Sequence, residues 1–93
     1  MIRSFKHKGL RELFETGATS KVPDELQERC LNRLDALDSA GNLRDLDIPG
    51  FDCHPLHGKP AKNAISVSGV WRITFEWNKK DGDAYRVDLE QYH

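Results

Sequence analysis

Hydrophobic positions in this chain repeat with two different periods, and the change falls near Gly50. In "KHKGLRELFETG", Leu10, Leu13 and Phe14 share one side of a short helix that Gly17 stops. Farther on, Leu26, Cys30, Leu34 and Leu37 recur at helical steps and form one apolar stripe. Pro23 suits the first turn of that helix, and Asp24, Glu25 and Glu28 complement the positive end of its dipole. Gly41 is expected to end it. Leu43 and Leu46 suggest one more helical turn before Pro49 and Gly50 break the chain.

After Gly50 the period is two. "FDCHPL" is a short extended piece whose Pro55 suits a sheet edge, and "AISV" follows a loop rich in Gly, Pro and Lys. "VWRITFEW" alternates, with Trp71, Ile73, Phe75 and Trp77 facing one way and Arg72, Thr74 and Glu76 the other. "NKKDGD" reads as a hairpin turn. In "AYRVDLEQY", Tyr85, Val87 and Leu89 are expected on the core face, with Arg86, Asp88 and Glu90 opposite. Ile2–Phe5 is a weak candidate for a first strand. Helices followed by antiparallel strands predict an α+β fold, with N-terminal helices packed on a small antiparallel sheet in one domain spanning 1–93.

Composition narrows the function classes. No apolar run approaches the roughly 20 residues of a membrane span, and "MIRSFKHKGL" lacks the apolar centre of a signal peptide. Cys30 lies in the helical stripe, where a buried thiol is expected rather than a disulfide, so a reducing, cytoplasmic setting is expected. The net charge of −1 conceals a segregation. Residues 1–23 carry five Lys/Arg against two acids, whereas residues 24–52 carry three against eight.

Four histidines are present, and two fall in "CHPLHGKPAK" beside Lys59 and Lys62. His54, His57, Lys59 and Lys62 there could face a phosphate, because imidazole readily exchanges a proton near neutral pH. Arg72, on the face opposite the core, could clamp a phosphate with its fork; alternatively it forms a cross-strand ion pair with an acid such as Asp88. Metal-free RNA cleavage needs a base for the 2′-hydroxyl, an acid for the 5′-oxygen and cations for the phosphorane. A zinc site through Cys53, His54 and His57 is disfavoured, since adjacent residues of an extended strand point to opposite faces. The strands show no aromatic residues interleaved with basic ones, as a base-stacking platform would need.

"MIRSFKHKGLRELFETG", "LDALDSAGNLRDL", "HPLHG" and "VWRITFEW…GDAYRVDLEQYH" together resemble the HigB toxins, the killer-protein branch of the RelE-like mRNA interferases. The resemblance runs from Met1 to His93. It implies the RelE-like fold and a ribosome-dependent endoribonuclease, which cuts mRNA in the 30S A site by 2′-hydroxyl attack without metal or cofactor. It also implies a HigA-type helix-turn-helix antitoxin as partner, with operator DNA bound only through that antitoxin, and no membrane.

Carried over residue by residue, His54 matches an active-site histidine and Arg72 the arginine that grips the scissile phosphate. Tyr92 and His93 match a terminal pair, the tyrosine placing substrate and the histidine acting as acid or base. His57, Lys59, Lys62 and Gln91 complete the RNA-facing set. Three positions depart from the family: Gln91 replaces an Asp, His57 a Lys, and Ser66 an Arg. Each removes charge from the site, so weakened or selective cleavage is expected, with a non-catalytic binding protein as the alternative. A ribosome-independent ribonuclease is disfavoured by the scarcity of exposed aromatics.

Overall fold

The change of period near Gly50 is the boundary between two layers in the computed structural model, which describes residues 1–92. The first layer holds helix α1 (Lys8–Thr16), helix α2 (Asp24–Ser39) and a 3₁₀ turn at Leu43–Leu46. The second is an antiparallel sheet of β1 (His54–Leu56), β2 (Lys62–Ser68), β3 (Trp71–Asn78) and β4 (Asp83–Gln91), in the order β1-β2-β3-β4. This is the expected α+β architecture.

Helix α1 starts at His7, whose Nδ1 accepts from the Leu10 amide at 3.1 Å. It ends where Gly17 adopts φ +84 and donates its N–H to the Leu13 carbonyl, a left-handed cap that glycine takes without a Cβ clash. Helix α2 buries Leu26, Cys30, Leu34 and Leu37, the stripe read from the sequence. It stops two residues before Gly41, because the chain turns extended at Ala40, whose N–H donates back to the Leu37 carbonyl.

Both helices lie on the sheet face that presents Ile65, Val67, Ile73, Phe75, Val87 and Leu89, and these residues share one core with Leu10, Leu34 and Leu46. Phe75 is fully buried at its centre, where truncation to alanine would cost roughly 3–5 kcal/mol. Helix α2 is also held to β2 by polar contacts. Arg33 stacks over the Phe51 ring, 4.6 Å from its centroid, and its Nε donates to the Ser66 carbonyl at 3.0 Å. That contact serves β2 where its register with β3 shifts between Ser66 and Ser68.

Three expectations change. First, Ile2–Phe5 forms no strand of its own; it runs parallel beside β4 through bridges at Ile2–Ala84 and Phe5–Val87. Asp83 anchors it, accepting from Arg3 at 2.7 Å and lying 3.1 Å from the Met1 amine. The segment thereby covers an edge of the sheet that would otherwise be open. Second, Arg72 does not pair with Asp88. Glu90 stands opposite Arg72 and Asp88 opposite Thr74, since the β3–β4 register sets cross-strand neighbours that composition cannot.

The third change is a bulge. Glu76 pairs with Tyr85 and Thr74 with Asp88, so Phe75 faces two residues, Arg86 and Val87. Arg86 takes φ +53. An inserted residue shifts the alternation by one, so Ala84 takes the core position beside Trp77 and Tyr85 turns to the opposite face with Glu76. The turn between β3 and β4 closes at Gly82, with φ +69. A Cβ there would stand 2.8 Å from the Gly41 carbonyl oxygen, so only glycine lets the hairpin approach the end of α2.

Candidate active site on the outer face of the sheet

Residues paired across antiparallel strands share a face. Pairing of His54 with Ala64, Ala64 with Thr74 and Thr74 with Asp88 therefore puts these four on the side away from the helices. Ser66, Arg72 and Glu90 form the next row on that face. His54 and Arg72 are thus brought to one surface, separated by two strand spacings, or about 10 Å across the sheet. Lys62 joins them from β2, while His57 and Lys59 lie exposed in the β1–β2 loop. Gln91 is different. It pairs with Trp71, on the helix-side face, so the fold does not bring it beside Arg72. The Tyr92 amide donates to the Val70 carbonyl at 2.7 Å, continuing the pairing one residue past β4. His93 lies outside the described residues.

Geometry sets the tautomer of His54. Its Nδ1 lies 2.7 Å from the Asp52 carbonyl oxygen, and a carbonyl only accepts, so Nδ1 carries the proton. In the neutral ring Nε2 then holds the lone pair and can take a proton. The ring is about half exposed, within reach of an incoming ligand. Asp52, at φ +46, makes the turn that aims its carbonyl back at the imidazole.

Arg72 is positioned from behind. Its Nη1 donates to the carbonyls of Gly69 at 2.6 Å and Trp71 at 2.9 Å. The tether uses one of three guanidinium nitrogens and leaves Nε and Nη2 without a partner among the described residues.

A small groove of about 100 Å³ crosses the middle of the face, with Thr74 at its floor and Lys6, Lys62, Glu76, Arg86 and Asp88 around it. Its cations come close to acids: Arg86 Nε is 3.1 Å from Glu76, Lys62 Nζ 3.4 Å from Glu90, and Lys6 Nζ 4.0 Å from Asp88. Glu90 also accepts a short hydrogen bond from the buried Thr74 hydroxyl. Burial pushes the Glu90 carboxyl up, but the Thr74 hydrogen bond and the Lys62 charge outweigh it and leave the group below its ordinary value. Glu90 is therefore a held anion and a poor proton acceptor.

Sequence reasoning missed Lys6, Thr74 and Arg86 as groove residues, and Glu90 as the acid that holds Thr74 and Lys62 beside it. Alternation had already put Thr74, Arg86 and Glu90 opposite the core; Lys6 carried no such signal, because only the parallel docking of its segment beside β4 brings it there.

Comparison with known proteins decides the family. A family model described as the RelE-like toxin of type II toxin-antitoxin system HigB matches residues 3–93. The chain belongs to the HigB family of toxins. The Endoribonuclease HigB of Proteus vulgaris is 45% identical over 94 residues, spanning 100% of both chains. In this HigB-family chain the helices and sheet are the layers expected of a RelE-like toxin, and membership implies an antitoxin partner. Among the described residues no helix is long and apolar enough to cross a membrane.

Cys30 and Cys53 are both free thiols. Burial pushes the Cys30 thiol up to about 11. Cys53 packs against the core whereas His54 projects from the outer face, as alternation requires of adjacent strand residues.

Proposed function

We propose that this chain is a ribosome-dependent endoribonuclease of the cytoplasm, cutting mRNA presented in the ribosomal A site and neutralised by a HigA-type helix-turn-helix antitoxin. The observation that carries this reading is the His54 imidazole, its proton held on Nδ1 by Asp52 and its Nε2 without a partner among the described residues, on one face with the tethered Arg72. The relative named an endoribonuclease, 45% identical along its whole length, supports the same reaction class.

In the reaction, His54 Nε2 takes the 2′-hydroxyl proton as that oxygen attacks the neighbouring phosphorus. The bond from phosphorus to the 5′-oxygen then breaks, and His93 supplies the proton to the leaving oxygen. The products are a 2′,3′-cyclic phosphate and a 5′-hydroxyl. Arg72 and Lys62 balance the charge that builds on the phosphorane, and Tyr92 places the substrate. His57 and Lys59 approach the RNA from the β1–β2 loop, and Gln91 supports the terminal pair.

A slower reaction, or binding without cutting, is the second reading. It draws on the acids Glu76, Asp88 and Glu90, which offset Arg86, Lys6 and Lys62 across the face. Purified ribosomes programmed with a defined mRNA separate the two. The wild-type chain is expected to yield new 5′ ends, and His54→Ala to slow cleavage about 10²–10⁴-fold while staying folded. A wild-type chain that binds ribosomes and releases no product establishes the second reading.

A further inference from the structure

The bulge at Arg86 turns an aromatic ring outward that alternation would have buried. An arginine at φ +53 is in a conformation disfavoured for any residue with a Cβ, and such outliers concentrate where function depends on them. Its consequence is a depression of about 640 Å³ at the β3–β4 hairpin, lined by Glu76, Trp77, Lys79, Lys80, Tyr85 and Arg86. The depression is contiguous with the central groove, because Glu76 and Arg86 line both. The strands themselves offer no row of alternating basic and aromatic residues; here Lys79 and Lys80 stand in the turn after β3, and the bulge turns Tyr85 toward the same depression.

Charge and shape describe the occupant. Tyr85 and Trp77 are half-buried aromatics, and both line the depression. The Tyr85 hydroxyl donates to Asp81 at 2.7 Å, which presets the ring. Nearby acids are engaged: Glu76 pairs with Arg86, and Asp81 accepts from Tyr85 and from the Asp83 amide. Lys79 and Lys80 are exposed, and among the described residues neither makes an ion pair. An outward aromatic ring with two uncommitted ammonium groups beside it suits a base joined to phosphates better than an acidic peptide.

We infer that this hairpin depression is a second RNA subsite, holding one nucleotide outside the cleavage centre with its base on Tyr85 and its phosphates at Lys79 and Lys80. The inference rests on the reading of the chain as an RNA-directed toxin and adds where the strand runs: from the groove, past the Arg86–Glu76 pair, to the hairpin.

The test uses a fluorescein-labelled single-stranded RNA hexamer titrated with the full chain at several salt concentrations. Tyr85→Ala is expected to weaken binding about 10-fold, the loss typical of one stacked base, and Tyr85→Phe to stay within about twofold. A Lys79→Glu/Lys80→Glu double variant should flatten the slope of log affinity against log salt by roughly 1.4, about 0.7 for each phosphate no longer neutralised. A hexamer carrying 4-thiouridine should photo-crosslink to the peptide of residues 81–86, a readout that holds even if a substitution unsettles the fold. Unchanged affinity and salt slope in folded variants, crosslinks confined elsewhere, or tighter binding of an acidic peptide than of RNA would overturn the subsite. Its failure is separable from that of the cleavage reading. Hairpin-dependent RNA binding without cleavage on ribosomes leaves the subsite standing; cleavage indifferent to Tyr85, Lys79 and Lys80 removes the subsite alone.

Discussion

Replacing Thr74 with valine tests how the outer face holds its central anion. Thr74 is fully buried, and its hydroxyl donates to the Glu90 carboxylate that also receives Lys62. Valine has nearly the same shape, so the change removes one hydrogen bond and adds a buried methyl. A hydrogen bond to a charged group contributes about 1.5–3 kcal/mol, and the extra methyl returns about 0.8 kcal/mol. Thr74→Val should therefore destabilise the fold by about 1–2 kcal/mol at pH 7. For a domain of this size that lowers the melting temperature by roughly 4–15 °C.

The pH dependence gives a sharper check. In the folded chain Glu90 lies below its ordinary value of 4.5, so the unfolded state binds its proton first as pH falls. Stability from the ionised carboxylate is complete well above pH 4.5 and is lost as pH falls through the folded value. Without the Thr74 hydrogen bond the opposing effect of burial remains, and the folded value moves up. The stability gap between wild type and Thr74→Val should thus be widest at neutral pH and narrow as pH falls below 4.5 through the folded value. Urea denaturation followed by tryptophan fluorescence at pH 7, 5 and 3 measures it. A gap that is absent at pH 7, or equally wide at pH 3, would refute the assignment of Thr74 as the anion's main support.

Asp83→Asn should loosen the N-terminal segment: amide exchange at Arg3, Lys6 and His7, whose N–H groups bond to Ala84 and Val87, should quicken relative to wild type. The wild-type Asp83 carboxyl is held below its ordinary value by the Arg3 hydrogen bond and then the Met1 amine. That anchoring is therefore present at neutral pH and lost on acidification through the folded value, and the variant should show no such acid transition. Cys30, fully buried with its thiol pushed up to about 11, should resist iodoacetamide at pH 8 until the chain unfolds. Labelling that tracks the urea unfolding curve supports this, and rapid labelling of the native protein contradicts it. Arg72→Lys should impair cleavage almost as much as Arg72→Ala, since an ammonium cannot both grip two hairpin carbonyls and present a planar fork to phosphate; programmed ribosomes supply the readout.

Much of this protein was legible in the order of its residues. Period and capping located α1 and α2, because Leu10 and Leu13, and Leu26 through Leu37, can be buried together only on helical surfaces. Alternation from Trp71 to Trp77 correctly separated Ile73 and Phe75 from Arg72 and Thr74. These are local signals, set by backbone geometry that each residue shares with near neighbours. The partners were not legible. Glu90 finds Thr74 across the sheet and Lys62 from another strand, Lys6 arrives from the opposite end of the chain, and Arg72 turns to carbonyls of its own hairpin. Tyr85 shows the reason most directly. A period-two pattern cannot register the one extra residue at Arg86, so the side on which that tyrosine emerges was decided only when β4 paired with β3 around the buried Phe75.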